Sequence, residues 1–323
     1  MHAIEISSGT LHLTDRPKPE PRADELVIRI EAAGVAQADI LQRQGKYPAP
    51  PGASDIPGLD AAGTIDSIGV DVQGWKTGDR VCAILSGGGY AEYCAVPAVQ
   101  ALPIPENWSA IEAATLPENL FTVYDNLVTR GGLKAGERVL IHGGASGIGS
   151  MAIMLARAVG AIPLATAGTP EKCAACLELG AERAIDYKKS DFVSEAQGVN
   201  IILDLVGGPY LDRNLDALVL EGRLVIISTQ GGRTAPLDIR KLMAKRLRIL
   251  GSTMRARTPA AKGEVAQALL QNIWLLLPAK TTIRPVIDSV FSLADAARAH
   301  ERLESGNHIG KIVLEIAKWR TKD

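Results

Sequence analysis

The 323-residue chain reads as an α/β protein: a doubly wound parallel sheet joined to a second, barrel-like β domain. Two observations predict this. From Val139 onward, short runs rich in branched apolar residues alternate with helix-like segments, as fully buried parallel strands and their crossovers do. Before Val139 the chain is richer in Gly and Pro and carries short alternating strands, the mark of an irregular antiparallel domain.

The strand candidates are Val139–Ile141, Ile162–Ala165, Arg183–Ile185, Ile201–Leu203, Leu224–Ile227 and Leu247–Leu250. Between them lie predicted helices over Ile148–Val159, Pro170–Leu179, Ser190–Ala196, Tyr210–Leu220 and Leu237–Arg246. Six strands with crossover helices describe one doubly wound sheet. In the first part, Leu26–Ile30 and Tyr90–Tyr93 read as strands. After Gly251 the chain offers one long helix, then Val286–Val290, then a closing strand Lys311–Glu315. That tail is expected to return to the first domain.

Composition narrows the function. The chain is 46% hydrophobic and 22% charged, an ordinary globular balance. Thirty-five basic residues face thirty-six acidic ones, so no nucleic-acid footprint is expected. The local cluster Arg240, Lys241, Lys245, Arg246 and Arg248 reads as a solvated helix end. The start, Met1–Glu5, has no signal-peptide pattern, and the run Ile273–Leu277 stops at Pro278, too short for a bilayer. A cytoplasmic protein with no membrane partner is expected. Cys82, Cys94, Cys173 and Cys176 do not form a disulfide framework in a chain this long, and Cys173 and Cys176 read as helix-packing residues.

The most informative stretch is Val139–Ser150, a strand, a glycine turn and a helix start in succession. Glycines let the backbone approach a pyrophosphate, whose charge is then held by free amides and the helix dipole. Gly144 and Gly149 fit the GxGxxG template, while its middle position is Ser146. A dinucleotide site follows from that loop in that context. An NAD site ends the next strand with an acidic residue on the ribose. Here Ala167 and Gly168 stand at that point, and Thr169 and Lys172 can instead meet a ribose phosphate, with Tyr187 covering it. The coenzyme expected is NADPH. Thr169 before Pro170 is also an ordinary helix cap, compatible with that role. His142, at the end of its strand, reads as structural.

The whole chain resembles the medium-chain dehydrogenase/reductase superfamily. The phrases Gln42–Pro48, Gly87–Tyr93, Leu116–Glu118 with Thr122, and Asn307–Val313 resemble its quinone oxidoreductase branch. The likeness is strongest to zeta-crystallin-like enzymes of the tumour-suppressor-inducible type, which share the Gly-x-Ser-Gly reading of Gly144–Gly147. The resemblance implies a GroES-like catalytic domain over 1–118, a Rossmann NADP(H)-binding domain over 119–256 and a return segment over 257–323. It implies cofactor contacts at Thr122, Ser146, Gly147, Ile148 and Asn307, and an NADPH-dependent reduction of quinones or similar conjugated carbonyls.

Zinc-dependent members of that superfamily ligate the metal where this chain has Ala36 and Leu59, and neither can bind a metal. A conjugated acceptor delocalises the incoming charge and dispenses with the Lewis acid. What remains is positioning, and a proton donor. Related enoyl reductases place a tyrosine at the point of Tyr47, the candidate for that donor or for an acceptor-orienting group; lining a pocket is its blander role. Asp39 is the nearest carboxylate, either catalytic or a holder of the loop. Several members of the resembled branch carry asparagine at the position of Ala36, so the resemblance leaves the acceptor's orientation open here. An enoyl-thioester or enone reductase and a non-catalytic NADPH-binding protein are the rival readings. Leu247–Ser252, an apolar edge, predicts a homodimer.

Overall fold

The computed structural model describes residues 1–316 and resolves the chain into two compact units. One holds Met1–Phe121, Met254–Pro278 and the described chain from Pro285; the other holds Thr122–Thr253 and Ala279–Arg284. The boundaries read from sequence, 118 and 256, stand beside 121 and 253, and the short stretch 279–284 belongs to the second unit.

The first unit opens with an antiparallel pair, β1 (His2–Ser7) and β2 (Thr10–Asp15). Its spine is β3 (Glu25–Val35), which hydrogen-bonds to three partners and bends at register shifts after Val27 and Ile30. The chain continues through α1 (Gln37–Arg43), β4 (Asp60–Ile68), β5 (Arg80–Ile84), β6 (Tyr93–Pro97), β7 (Ala101–Pro103) and α2 (Ala110–Ala113) into α3 (Pro117–Val123), within which the first unit ends at Phe121. The expected strand over Tyr90–Tyr93 is displaced, because β6 only begins at Tyr93. Gly87 and Gly88 have φ of 155° and 100°, and the buried Tyr90 ring is tied elsewhere, so the chain enters as a loop.

In the second unit β8 (Arg138–Ile141), α4 (Gly147–Ala158), β9 (Ile162–Ala167), α5 (Pro170–Glu178), β10 (Arg183–Asp186), α6 (Phe192–Glu195), β11 (Val199–Asp204), α7 (Leu211–Ala217), β12 (Leu218–Ile226), α8 (Ile239–Ala244) and β13 (Arg248–Gly251) follow in order. All six strands are parallel in the order β10-β9-β8-β11-β12-β13, reversing direction of growth between β8 and β11. Leu140, Leu164, Ile185, Ile202, Leu215 and Leu224 fill the core under one face. All four cysteines are free thiols, with Cys176 buried on α5 and Cys173 half-buried beside it.

One expectation fails here. The helix expected to reach Leu220 ends at Ala217, and β12 starts at once. Lys245 Nζ donates to the carbonyls of Leu215, Asp216 and Leu218 at 2.8 Å each, which closes α7 as a C-terminal cation does. The basic cluster is therefore not merely solvated: Lys241 also bridges Asp212 and Asp216, and Arg246 meets Glu221.

The chain returns to the first unit through α9 (Pro259–Asn272), β14 (Ile287–Ser292), α10 (Ala296–Glu304) and β15 (Lys311–Glu315). The sequence reading missed α10. Its inward stripe is Ala296, Ala299 and His300, too small and polar to register as an apolar period. It is the crossover that lets β14 and β15 pair in parallel, and the sheet runs β14-β15-β3-β4-β5-β7, with β6 on β3. Among the described residues no helix is long and apolar enough to cross a membrane.

Candidate cofactor site and tyrosine loop

The chain leaves β8 through His142 and turns at Gly143, whose φ of +68° suits glycine. Gly144 N–H donates to the Thr166 carbonyl at 2.9 Å, fastening the turn to β9. Ser146, in the template's middle position, caps α4: its Oγ accepts from Gly149 N at 3.0 Å and donates to the Gly143 carbonyl at 2.8 Å. A Cβ on Gly149 would stand 2.2 Å from the Gly143 oxygen, and one on Gly144 would stand 2.6 Å from Ala165 Cβ. The loop is therefore closed against side chains on its inner surface. Gly147 and Ile148, in the first turn of a 12-residue helix, have no intrahelical acceptor for their amides. A tight glycine turn, first-turn amides and the positive end of a helix make a cradle that fits a pyrophosphate.

The end of β9 lies alongside the end of β10, with Ala167 paired to Asp186. Gly168 and Tyr187 meet there, and Thr169 and Lys172 follow at the N-terminal end of α5. A Cβ on Gly168 would lie 2.7 Å from Tyr187 Oη, so the phenol rests directly on the glycine. Tyr187 is 44% exposed, and its N–H donates to the Ala167 carbonyl at 3.1 Å. Thr169 caps α5, its Oγ1 accepting from Lys172 N at 3.2 Å. At the tip of β9 stand Ala167 and Gly168 in place of an acidic residue; the carboxylates nearby belong to Glu171, which bonds Thr169, and to Asp186, across from Ala167 on β10. The donors present, a hydroxyl, an ammonium and a phenol, fit a ribose phosphate.

Thr122 and Asn307 belong to different units. Thr122 is half-buried on α3, its carbonyl taken by Asn126 Nδ2 at 2.8 Å. Asn307 is exposed in the turn after α10, its N–H on Ser305 Oγ at 3.3 Å. His142 is fully buried, and burial pushes its imidazole down to about 4 against the bond to Asn214.

The first unit carries Tyr47 at the end of a loop that follows α1. The ring is half-buried, and Tyr47 N–H donates to the Leu41 carbonyl at 3.2 Å. What holds the loop is a residue the sequence reading did not single out. Arg255, only 4% exposed, donates to the Tyr47 carbonyl at 3.0 Å, to Gln42 Oε1 at 2.5 Å and to the Ser86 carbonyl at 2.9 Å. Its guanidinium carbon lies 5.3 Å from the centre of the Tyr47 ring. Behind it, the buried Lys262 donates to Ser86 Oγ at 2.6 Å and to the Arg255 carbonyl at 3.1 Å. Burial, then the charge of Arg255, pushes the Lys262 ammonium down to about 8.

Asp39 is fully buried and its oxygens are engaged. It accepts from Ala36 N at 2.8 Å, from Gly58 N at 2.9 Å and from Tyr90 Oη at 3.2 Å. Burial pushes its carboxyl up to about 6, opposed by the two amides. Of the two roles open to Asp39, these bonds describe the holder of the loop. They tie together the two stretches that bear Ala36 and Leu59, whose side chains have no metal-binding atom. Next to them, buried Lys311 lies 2.8 Å from Asp60 and 3.0 Å from Glu118, which hold it protonated despite burial. Among the described residues, no three His, Cys, Asp or Glu side chains gather into a metal-binding group.

Residues 22–106 match the alcohol dehydrogenase GroES-like domain, and residues 179–314 match a zinc-binding dehydrogenase domain. The quinone oxidoreductase of Rattus norvegicus is 31% identical over 304 residues, covering 92% of this chain and 90% of that protein. The chain is a medium-chain dehydrogenase/reductase. Among solved structures, the quinone oxidoreductase from Thermus thermophilus, determined also in complex with NADPH, is 33% identical with a TM-score of 0.83. That match covers 98% of this chain and 100% of the other. The CurF ER cyclopropanase from the curacin A biosynthetic pathway is 26% identical with a TM-score of 0.84, over 98% and 99% of the two chains.

Proposed function

We propose that the chain is an NADPH-dependent quinone oxidoreductase that reduces quinones or similar conjugated carbonyls without zinc. The observation that carries the coenzyme choice is the tip of β9, where Ala167 and Gly168 replace the usual carboxylate beside Thr169, Lys172 and Tyr187. The likeness to quinone oxidoreductases, one of them solved with NADPH, supports the reading. Bound NADPH supplies a hydride. The chain itself supplies the phosphate cradle of Gly144, Ser146, Gly147 and Ile148, further cofactor contacts from Thr122 and Asn307, and a proton from Tyr47. Asp39 and Arg255 act on that proton only through the loops they hold. Because a quinone spreads the incoming charge over its ring, no Lewis acid is required of Ala36 or Leu59.

The test is NADPH oxidation with a naphthoquinone, phenanthrenequinone and crotonyl-CoA measured side by side. Turnover of the quinones at well above the crotonyl-CoA rate supports the reading. A preference for crotonyl-CoA would move the chain to enoyl-thioester reduction. Tight NADPH binding with no turnover would make it a non-catalytic binder.

We further propose a cytoplasmic homodimer joined through β13, the last strand of its sheet. Ile239 and Met243, on the adjoining helix, are 62% and 71% exposed, and Ile249 and Leu250 are half-buried. An unpaired edge beside exposed apolar residues is a surface that pairing would cover. Light scattering at micromolar concentration should give twice the chain mass; a monomer mass would contradict it.

A further inference from the structure

The buried histidine that the mechanism does not use belongs to an unbroken line of hydrogen bonds. Gly143 N lies 3.3 Å from Thr166 Oγ1, and Thr166 Oγ1 lies 3.1 Å from His142 Nδ1. On the other side of the ring, His142 Nε2 lies 2.8 Å from Asn214 Oδ1, and Asn214 Nδ2 lies 3.1 Å from Asp204 Oδ2. The other carboxylate oxygen of Asp204 accepts from Val206 N at 2.7 Å and Gly207 N at 3.1 Å. All four side chains are at most 1% exposed.

The Asp204 end decides the direction. The Asp204 carboxylate can only accept, so the Asn214 amide nitrogen faces it and Asn214 Oδ1 is left to accept from His142 Nε2; the neutral ring then receives the Thr166 hydroxyl proton on Nδ1, while Thr166 Oγ1 accepts from Gly143 N–H. Each group is satisfied and the orientation of the Asn214 amide follows. Phe192 and Tyr210 meet the imidazole edge-on, each with its ring centre at 4.8 Å, so the ring has no room to turn.

The line crosses the sheet where the strand order reverses, the place where doubly wound folds bind ligands. Its anchor, Thr166, takes the amide of Gly143 on its hydroxyl and that of Gly144 on its carbonyl. Thr166 stands two residues before Gly168 and three before Thr169 along the chain. One residue therefore sets the spacing between the pyrophosphate cradle and the ribose-phosphate pocket.

We infer that His142 is a positioning residue for the cofactor: through Thr166, backed by Asn214 and Asp204, it fixes that spacing and so favours NADPH over NADH. This rests on the reading of the loop as an NADPH site. Movement of the β9 tip costs contacts to the ribose phosphate first, because the pyrophosphate keeps its amides on α4.

The experiment combines calorimetry with imidazole 15N NMR. In the wild-type protein at pH 7 the His142 ring should show one protonated nitrogen, Nε2, and one bare nitrogen, Nδ1. Thr166→Val keeps the shape and removes the hydroxyl, leaving Gly143 N–H and His142 Nδ1 without their partner. NADPH affinity should fall about tenfold and NADH affinity by much less. Thr166→Ser, which restores the hydroxyl, should bring NADPH affinity back to within about twofold of wild type. A charged ring, or one protonated on Nδ1, overturns the inference without any variant having to fold. So does a Val variant that binds NADPH as wild type does, or a Ser variant no better than Val. If the wild-type protein itself holds NADH as firmly as NADPH, the coenzyme reading fails, and the spacing role falls with it; the NMR result then reports on the chain of bonds alone.

Discussion

The phosphate loop of the second unit is held by partners close in sequence: Gly149 on Ser146 three residues away, and Gly143 on Thr166 23 residues away. The loop that carries Tyr47 is held by Arg255, 208 residues on, which also reaches back 169 residues to Ser86. One loop has its geometry written into a contiguous motif of glycines and a capping serine. The other is a plain stretch made rigid by a distant buried cation. The difference teaches that ligand-holding chemistry with strict steric demands is encoded locally, while a reactive side chain can be positioned by any residue the fold brings beneath it.

The largest break in this comparison should come from Gly149→Ala. Its Cβ would meet backbone atoms at 2.2 and 2.7 Å, so the turn must open and the cradle with it. Alanine otherwise favours a helix. NADPH affinity should drop by roughly two orders of magnitude, as expected when close packing at the phosphate turn is lost. Calorimetry measures it, and near wild-type binding would mean the cradle is not where the cofactor sits.

Breaking the other loop should have a different signature. Arg255→Met removes the donors to Tyr47, Gln42 and Ser86. With a naphthoquinone, kcat should fall by roughly tenfold or more, while the NADPH dissociation constant changes by less than about twofold. Tyr47→Phe should lower kcat by a similar factor, and the double variant should lose little more than either one. Additive losses would show that Arg255 does not work through Tyr47.

A smaller effect distinguishes the units by pH. Burial depresses His142 to about 4 and His300, in the first unit, to about 3. Each ring binds fewer protons folded than unfolded between its folded value and the ordinary 6.5. The stability it contributes is complete above 6.5 and is lost as pH falls toward 4 and 3. Asp39, raised to about 6, acts oppositely: its contribution is greatest below its ordinary 3.8 and fades as pH rises to 6. Taken together, these three groups contribute less stability against urea at pH 4.5 than at pH 6.5, by on the order of 1–3 kcal/mol. His300→Gln should flatten that slope; an unchanged slope would exclude His300 from it.

The weakest effect belongs to the surface. If Lys172 meets the ribose phosphate as proposed, Lys172→Ala should weaken NADPH by several-fold, on the order of 1 kcal/mol, with NADH unaffected. Equal losses for both coenzymes would place Lys172 elsewhere.

How much of this was legible follows the same division. The six parallel strands announced themselves, because fully buried strands are nearly continuous apolar runs. The glycine turn and the missing acid after β9 were visible as local text. What stayed hidden was set by distant partners or small side chains. The end of α7 depends on Lys245, α10 turns an alanine and histidine stripe inward, and Asp39 proved to be spent on Ala36, Gly58 and Tyr90. Nothing near Tyr47 in the sequence points to Arg255 or Lys262. The partners of His142 were hidden because Thr166 lies on the next strand and Asn214 is 72 residues away on a helix.

Calorimetric titration of the wild-type protein with NADPH and with NADH, under identical salt, tests the coenzyme assignment most directly. The proposed role of Thr169, Lys172 and Tyr187 at a ribose phosphate, with no acidic residue at the tip of β9, predicts NADPH binding at least about tenfold tighter. NADH bound with equal or greater affinity would contradict the account.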